Sequence, residues 1–532
     1  MDDPQTLAQA TAPPETSEAR KHPTAPEAQL VVRLNRQDNV LVAARSLAEG
    51  AVLPGTDAVC RDTIPAGHKV AAAAIPAGAA VRKYGQIIGF ATHDIDAGQH
   101  VHTQNCGMGD FSRDYAFCEE AQATAYVPEA ERATFQGLVR SDGQVATRNH
   151  IGVLTTVNCS ATVARAVAET FGGTALEAFP NVDGVTAFAH TTGCGMASSG
   201  EGFELLQRTL HGYLTHPNFA GILLIGLGCE INQIHRLTER YGLQSGERFQ
   251  YMTIQEAGGT RAAIEQGKAC VKAMLPTANA VARQPLPASH LKLALQCGGS
   301  DGYSGITANP ALGAAVDKLV RNGGTAILSE TPEIYGAEHL LTRRAASPEI
   351  GETLLGRVRW WEDYAARHAG SLDNNPSPGN KAGGLTTILE KSLGAAAKSG
   401  TTRLEAVYDY AVPITAKGFV FMDSPGYDPC SVTGQIAAGA NIVCFTTGRG
   451  SVSGFKPAPS LKLCTNSVTY RRMSDDMDID CGPVLDEGVS IEAMGDRIFD
   501  LILRTASGTA TCSEALGFGD NEFVPWQIGA VM

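Results

Sequence analysis

From residue 30 to about residue 105, apolar positions come in short alternating runs, "VVRLNRQDNVLVAA", "KVAAAAI" and "AVRKYGQIIGFA", punctuated by "AEG", "PAG" and "DAG". Period-two alternation with Gly-ended turns predicts a small all-β domain, placed at 29–105. Residues 106–134 read as a linker. At "HIGVLTTVNCSATVARAVAETF" the grain changes to a continuous β-branched run followed by apolar residues at helical spacing. Strands of that kind are buried on both faces, as in parallel sheets. They return as "VDGVTAFAH", "FAGILLIGLGCE", "LKLALQCGGS", "GGTAILSETPE", "KGFVFMDSPGYD" and "ANIVCFTTGRG". The expected fold class is multidomain α/β, the small β domain being followed by α/β domains at 135–280 and 290–532, divided in the Ala/Pro-rich stretch 275–289.

Residues 1–28 carry Ala, Pro, Thr and Glu with almost no large apolar side chain, which predicts a disordered tail. With 532 residues, 43% of them hydrophobic, the chain is long enough for several cores. No apolar run approaches the roughly 20 residues that span a bilayer, and no signal peptide opens the chain, so the expectation is a cytoplasmic protein without membrane contact. Thirteen cysteines, an odd number, several of them at the ends of apolar runs, read as thiols, some available to a metal. A formal charge of −13 argues against a nucleic-acid partner. An anionic substrate would need a local basic pocket, because distant charges are screened beyond roughly 8 Å.

Ligands of open parallel sheets collect beyond the carboxyl ends of strands. Four cysteines stand there: Cys159, Cys194, Cys229 and Cys297. One such cysteine is ordinarily a small core residue, whereas four at the same topological position suggest a shared role. After Cys297, "QCGGSDGYSGITANP" adds Ser300, Asp301 and Asn309, an order that packing does not require. The β domain offers His68 with Lys69, Lys83 with Tyr84, and "QHVHTQN", where alternation puts His100 and His102 on one face as metal ligands or acid/base groups. Arg140, Arg148 and Asn149 precede the first α/β strand, a place where arginines are usually solvated. "NNPSPGNKAGG" presents Asn380 and Lys381 from an irregular backbone suited to an anion, though its spacing is not that of a nucleotide-binding loop. "FTTGRGS" offers Arg449 to a carboxylate, and "DSPGYDP" contributes Asp423 and Asp428. GxGxxG, GxSxG, HExxH and zinc-type CxxC pairs are absent, which weakens dinucleotide-dependent oxidation and serine hydrolysis.

These segments, "AGHKVA", "KYGQIIG", "HVHTQN", "GCG", "GLGCE", "QCGGSDGYSGITANP", "ETPEIYGAEHLL", "NPSPGNKAGG" and "TTGRGS", resemble the altronate and galactarate dehydratases from about Leu30 to the C-terminus. The resemblance implies an N-terminal β-clip (SAF-type) domain, a second domain concerned with homodimer contacts and a C-terminal Rossmann-like domain. It also implies dehydration of a small-molecule sugar acid, altronate before galactarate, to a 2-keto-3-deoxy acid, with Fe2+ or Mn2+. A related branch eliminates sulfite from sulfolactate using separate chains for the small domain and the body, so carbon–sulfur lyase activity is the alternative. A sugar-acid-sensing regulator would need a DNA-binding element and a basic face, and the sequence offers neither. In the expected mechanism His68 and Lys83 or His102 exchange protons, with Lys69 beside them. Arg148, Asn149, Ser300, Asp301, Asn309, Asn380, Lys381 and Arg449 meet the substrate. Cys194, Cys229 and Cys297 hold a ferrous ion, or with Cys159 an iron–sulfur cluster.

Overall fold

The computed structural model describes residues 30–109 and 113–531. The tail expected at 1–28 and part of the expected linker lie outside the described residues. Short runs give short strands: β1 (Val31–Val32), β2 (Val40–Ala43), β3 (Lys69–Ala71), β4 (Ala80–Lys83), β5 (Gln86–Ala91), β6 (His100–Val101) and β7 (Cys106–Gly107). They form two antiparallel sheets, ordered β1-β2-β3-β6 and β4-β5-β7. The repeated "AEG", "PAG" and "DAG" turns place Gly50, Gly67, Gly78 and Gly98 at φ near +80°, where a side chain would be strained. β7 pairs with β5, so the domain runs slightly past the expected boundary at 105.

The body opens with β8 (Thr134–Val139) and β9 (Val145–Ala146), then a parallel sheet of β10 (His150–Thr155), β11 (Gly184–Phe188), β12 (Phe219–Gly226) and β13 (Phe249–Thr253), ordered β11-β10-β12-β13. The stretch 275–289 is no loose hinge. A helix runs through Thr260–Asn279, and β14 (Gln284–Pro287) pairs antiparallel with β8, returning the chain to the strand by which it entered the body.

Seven parallel strands follow: β15 (Lys292–Cys297), β16 (Thr325–Leu328), β17 (Leu404–Tyr408), β18 (Gly418–Met422), β19 (Ile442–Thr447), β20 (Ser460–Cys464) and β21 (Ile479–Asp480). Their order is β17-β18-β16-β15-β19-β20-β21. The chain winds to one side of β15 and then to the other, so the topological switch lies between β15 and β19, where a crevice opens at the carboxyl edge.

The two parallel sheets share a core: Leu154, Phe188 and Leu224 pack in one cluster with Val420, Val443 and Phe445. Where the helix Glu201–Leu214 meets the helix Asp428–Ala437, a Cβ on Gly212 would lie 2.1 Å from the Ala437 carbonyl oxygen, a distance only glycine avoids. The domains are therefore joined by packing. Among the described residues no helix is long and apolar enough to cross a membrane.

Candidate active site

A cleft of about 600 Å³ lies beyond β15, β19 and β20, lined by Asp301, Tyr303, Arg449, Thr465, Asn466 and Arg472. The N-terminal domain supplies the facing wall through Ala44, Arg45 and Ala66. The glycines after Cys297 allow this closeness: a Cβ on Gly302 would stand 1.9 Å from the carbonyl oxygen of Gly67. Asp301 accepts hydrogen bonds from the Thr465 hydroxyl at 2.9 Å, the Asn466 amide at 3.2 Å, the Ser304 hydroxyl at 3.0 Å and the Tyr303 backbone N–H at 3.1 Å. Burial nonetheless raises its pKa above the usual carboxylate range.

Behind Ala382, and not among the residues that line the cleft, stand three histidines. His68 Nε2 lies 3.3 Å from the carbonyl oxygen of Ala382, which also lines the cleft, and His68 Nδ1 lies 3.0 Å from His100 Nε2. A carbonyl only accepts, so His68 carries its proton on Nε2 and His100 donates to Nδ1. One ring nitrogen from each of His68, His100 and His102 falls within 4.8 Å of the others, and His102 Nδ1 is buried without a hydrogen-bond partner. Burial, reinforced by Lys69 and by the neighbouring rings, lowers His100 to about 4 and His102 to about 3, and burial also lowers His68. Neutral rings at pH 7 are the metal-binding form.

Beneath them Glu390 joins the domains. Lys69 Nζ reaches Glu390 Oε2 at 2.8 Å and Lys83 Nζ reaches Oε1 at 2.9 Å, with all three side chains sealed from solvent. Lys69 also donates to the Gly384 carbonyl at 2.6 Å. Burial would raise the Glu390 carboxyl, but the two lysines hold it far below its ordinary value. Burial lowers Lys69 more than Glu390 restores it, while for Lys83 the pull of Tyr84 and Glu390 outweighs burial and raises it. Lys69 and Lys83, expected as acid/base groups, are both buried in ion pairs with Glu390 where the small domain meets the body.

Consecutive segments of the chain match three family descriptions: the altronate/galactarate dehydratase SAF domain over 29–109, the D-galactarate dehydratase/altronate hydrolase second domain over 137–279, and the D-galactarate/altronate dehydratase C-terminal domain over 288–531. The chain belongs to the D-galactarate/altronate dehydratase family. It is 34% identical to an altronate dehydratase of Bacillus subtilis (strain 168) over 90% of this chain and 95% of that one. An altronate dehydratase of Escherichia coli (strain K12) is 35% identical over 92% and 97% of the two chains. The galactarate dehydratase (L-threo-forming) of the same strain is 35% identical over 90% and 92%.

Several residues expected at the substrate stand elsewhere in this dehydratase-family fold. Arg148 and Asn149 sit at the amino end of β10, opposite the edge where ligands collect. Arg148 forks onto Glu514 at 2.6 and 2.9 Å, and Asn149 accepts from Arg140 at 2.7 Å and donates to the carbonyls of Asn181 and Ala278. Asn309 is buried between the Gly394 carbonyl and the Thr446 hydroxyl. Asn380 completes the cap of the helix Pro378–Ala382 and donates to the Ser300 carbonyl at 2.9 Å, so it shapes the Asp301 loop. Ser300 Oγ is buried and unpartnered. The side chain of Lys381, half-buried beside Ala382, makes no hydrogen bond or ion pair among the described residues. Only Asp301 and Arg449 of the expected substrate contacts line the cleft itself.

The four cysteines do not form one site. Cys297 is buried, its sulfur 2.9 Å from Lys398 Nζ and 3.5 Å from Glu333 Oε2, while Cys159, Cys194 and Cys229 are exposed at the other sheet. Around Cys297 lies a charged cluster that sequence reasoning missed. Glu333 pairs with Lys391 at 2.6 Å, and Glu330 is wholly buried at a left-handed φ of +68°, neither carboxylate oxygen having a partner. Burial, with the like charges of Glu333 and Asp428, raises Glu330, and burial with Glu333 raises Asp428 to about 7. The signal was present: "SETPEIYG" follows β16 as "QCGGSDG" follows β15, and the strand-end rule applies to both.

Proposed function

We propose that this chain is a divalent-metal-dependent hydro-lyase that dehydrates a sugar acid, altronate first and galactarate next, to the 2-keto-3-deoxy acid. The observation that carries the reading is the arginine-walled cleft at the sheet's switch point, with a cluster of three neutral imidazoles joined to it through the His68–Ala382 contact. The named activities of the relatives support the substrate class.

The donor set suits Fe2+ or Mn2+. Two imidazole nitrogens bound at about 2.1 Å and at right angles lie about 3.0 Å apart. His68 Nδ1 and His100 Nε2 are 3.0 Å apart, and both offer lone pairs once the His100 proton moves from Nε2 to Nδ1; His102 brings a buried nitrogen that otherwise has no partner. His68, His100 and His102 would hold the ion, which supplies Lewis-acid stabilisation of the charge that grows on the substrate carboxylate as the α-proton leaves.

The chain's own residues do the rest. Arg449 and Arg45, on opposite walls, bind the carboxylate in a molecule whose net charge would otherwise repel it. Asp301, immobilised by its donors and with its pKa raised by burial, takes the α-proton and passes it to the departing 3-hydroxyl, which leaves as water. Glu390 with Lys69 and Lys83 keeps the SAF domain against the cleft, so that water is excluded from one side.

Anaerobic protein supplied with ferrous iron and thiol, incubated with altronate, galactarate and sulfolactate, tests this by semicarbazide detection of 2-keto acids. Turnover of a sugar acid, abolished by chelation and restored by Fe2+ or Mn2+, is expected. Absence of keto acid from both sugar acids overturns the reading, and sulfite release from sulfolactate would assign the chain to carbon–sulfur lyase chemistry.

A further inference from the structure

We propose that Cys159, Cys194 and Cys229 bind a cubane iron–sulfur cluster, leaving one iron without a protein ligand and open to an oxygen donor from solution. β11, β10 and β12 are neighbours in the sheet, so the loops at their carboxyl ends lie side by side. The three thiols stand four residues after β10, six after β11 and three after β12.

These loops are cross-tied without use of the sulfurs. Asn158 donates its backbone N–H to the Thr192 carbonyl at 3.0 Å and its side-chain amide to the His190 carbonyl at 3.2 Å. Asn232 does the same to the carbonyls of Gly193 at 3.0 Å and Thr156 at 2.9 Å. Glu230 accepts from the Thr156 hydroxyl at 2.6 Å and the Gly228 N–H at 2.7 Å. The loop carrying Cys194 passes so close to its neighbour that a Cβ on Gly193 would lie 2.2 Å from the Thr156 carbonyl oxygen, and Gln527 fastens it from outside through Thr191 at 2.9 Å. What this framework presents is three exposed thiols, none with a hydrogen-bond partner among the described residues, whereas the sulfurs of Cys297, Cys430 and Cys464 are buried and bonded.

Spacing distinguishes a cluster from a single ion. Metal–sulfur bonds of about 2.3 Å put two thiolates on one tetrahedral ion about 3.8 Å apart. The three cysteines are not among the groups whose ligand atoms fall within 4.8 Å of one another. A cubane, whose thiolates sit on different irons, requires the wider arrangement, and three thiolates leave the fourth iron free.

The test uses the full chain, reconstituted anaerobically with ferrous and ferric iron in equal amounts, sulfide and thiol and then desalted. Expected are about four irons and four acid-labile sulfides per chain, with broad absorption near about 400 nm and a reduced-state EPR signal. These should be lost in Cys194→Ser or Cys229→Ser and kept in Cys297→Ser. Independently of variants, loading should shield the peptides bearing Cys159, Cys194 and Cys229 from alkylation. Iron bound without sulfide, a cluster that survives in the triple variant Cys159→Ser, Cys194→Ser, Cys229→Ser, or equal alkylation before and after loading would overturn the proposal. No arm reads substrate turnover, so its failure and failure of the dehydratase reading are distinguishable.

Discussion

The carboxyl edge of the seven-stranded sheet is roofed by the SAF domain, whereas at that of the four-stranded sheet three thiols are exposed among the described residues. Both edges obey the same topological rule, and the cover decides what chemistry each supports. Under the roof, burial strips water from the histidines and keeps them neutral, the form that the proposed divalent ion requires. On the open edge the donors are soft sulfurs that no neighbouring side chain engages. Position in a fold thus marks where a ligand goes, and the desolvation and donor set there mark which ligand.

The largest effect that would break this contrast is loss of the roof's fastening. Glu390→Gln should leave two buried lysines without a counter-ion and cost about 3–5 kcal/mol in denaturant unfolding. Because the Glu390 carboxyl is depressed in the folded chain, its contribution is fully present above the ordinary value of 4.5 and is lost as pH falls through its lower folded value. Unfolding midpoints measured down that pH range should therefore converge for wild type and variant. His100→Ala should next reduce kcat/KM for the sugar acid beyond about 100-fold, more than loss of a ligand's supporting partner usually costs, with little change in Tm. Arg449→Ala should raise KM by about 10–100-fold, the equivalent of one charged hydrogen bond, as read in steady-state kinetics. Arg148→Ala provides the smallest kinetic effect: it should lower stability through the lost Glu514 pair and leave KM within about twofold, since charges that far from the cleft are screened.

Much of this architecture was legible because buried parallel strands announce themselves. β10, β12, β15 and β19 are apolar on both faces and were visible as continuous runs. β13 and β17 were not, since their residues are largely half-exposed and alternate weakly. At the site, Asp301 and Arg449 follow strands directly and were found by that rule. Glu390 was invisible because it lies inside a helix, and only the tertiary fold brings Lys69 and Lys83 to it from more than 300 residues away in sequence. Arg148 misled for the opposite reason: the family resemblance set it at the substrate although it precedes a strand, at the end opposite the ligand edge. The cysteines looked alike in sequence, since each follows a strand, and separated only when the two sheets proved to be distinct.

The most direct test of the central claim is a Mn2+ titration of metal-free protein followed by the EPR signal of the unbound ion. The account predicts one tightly bound ion per chain, lost in His100→Ala and His102→Ala and retained when Cys159, Cys194 and Cys229 are all changed to serine. Binding that persists without the imidazoles, or vanishes with the thiols, would contradict it.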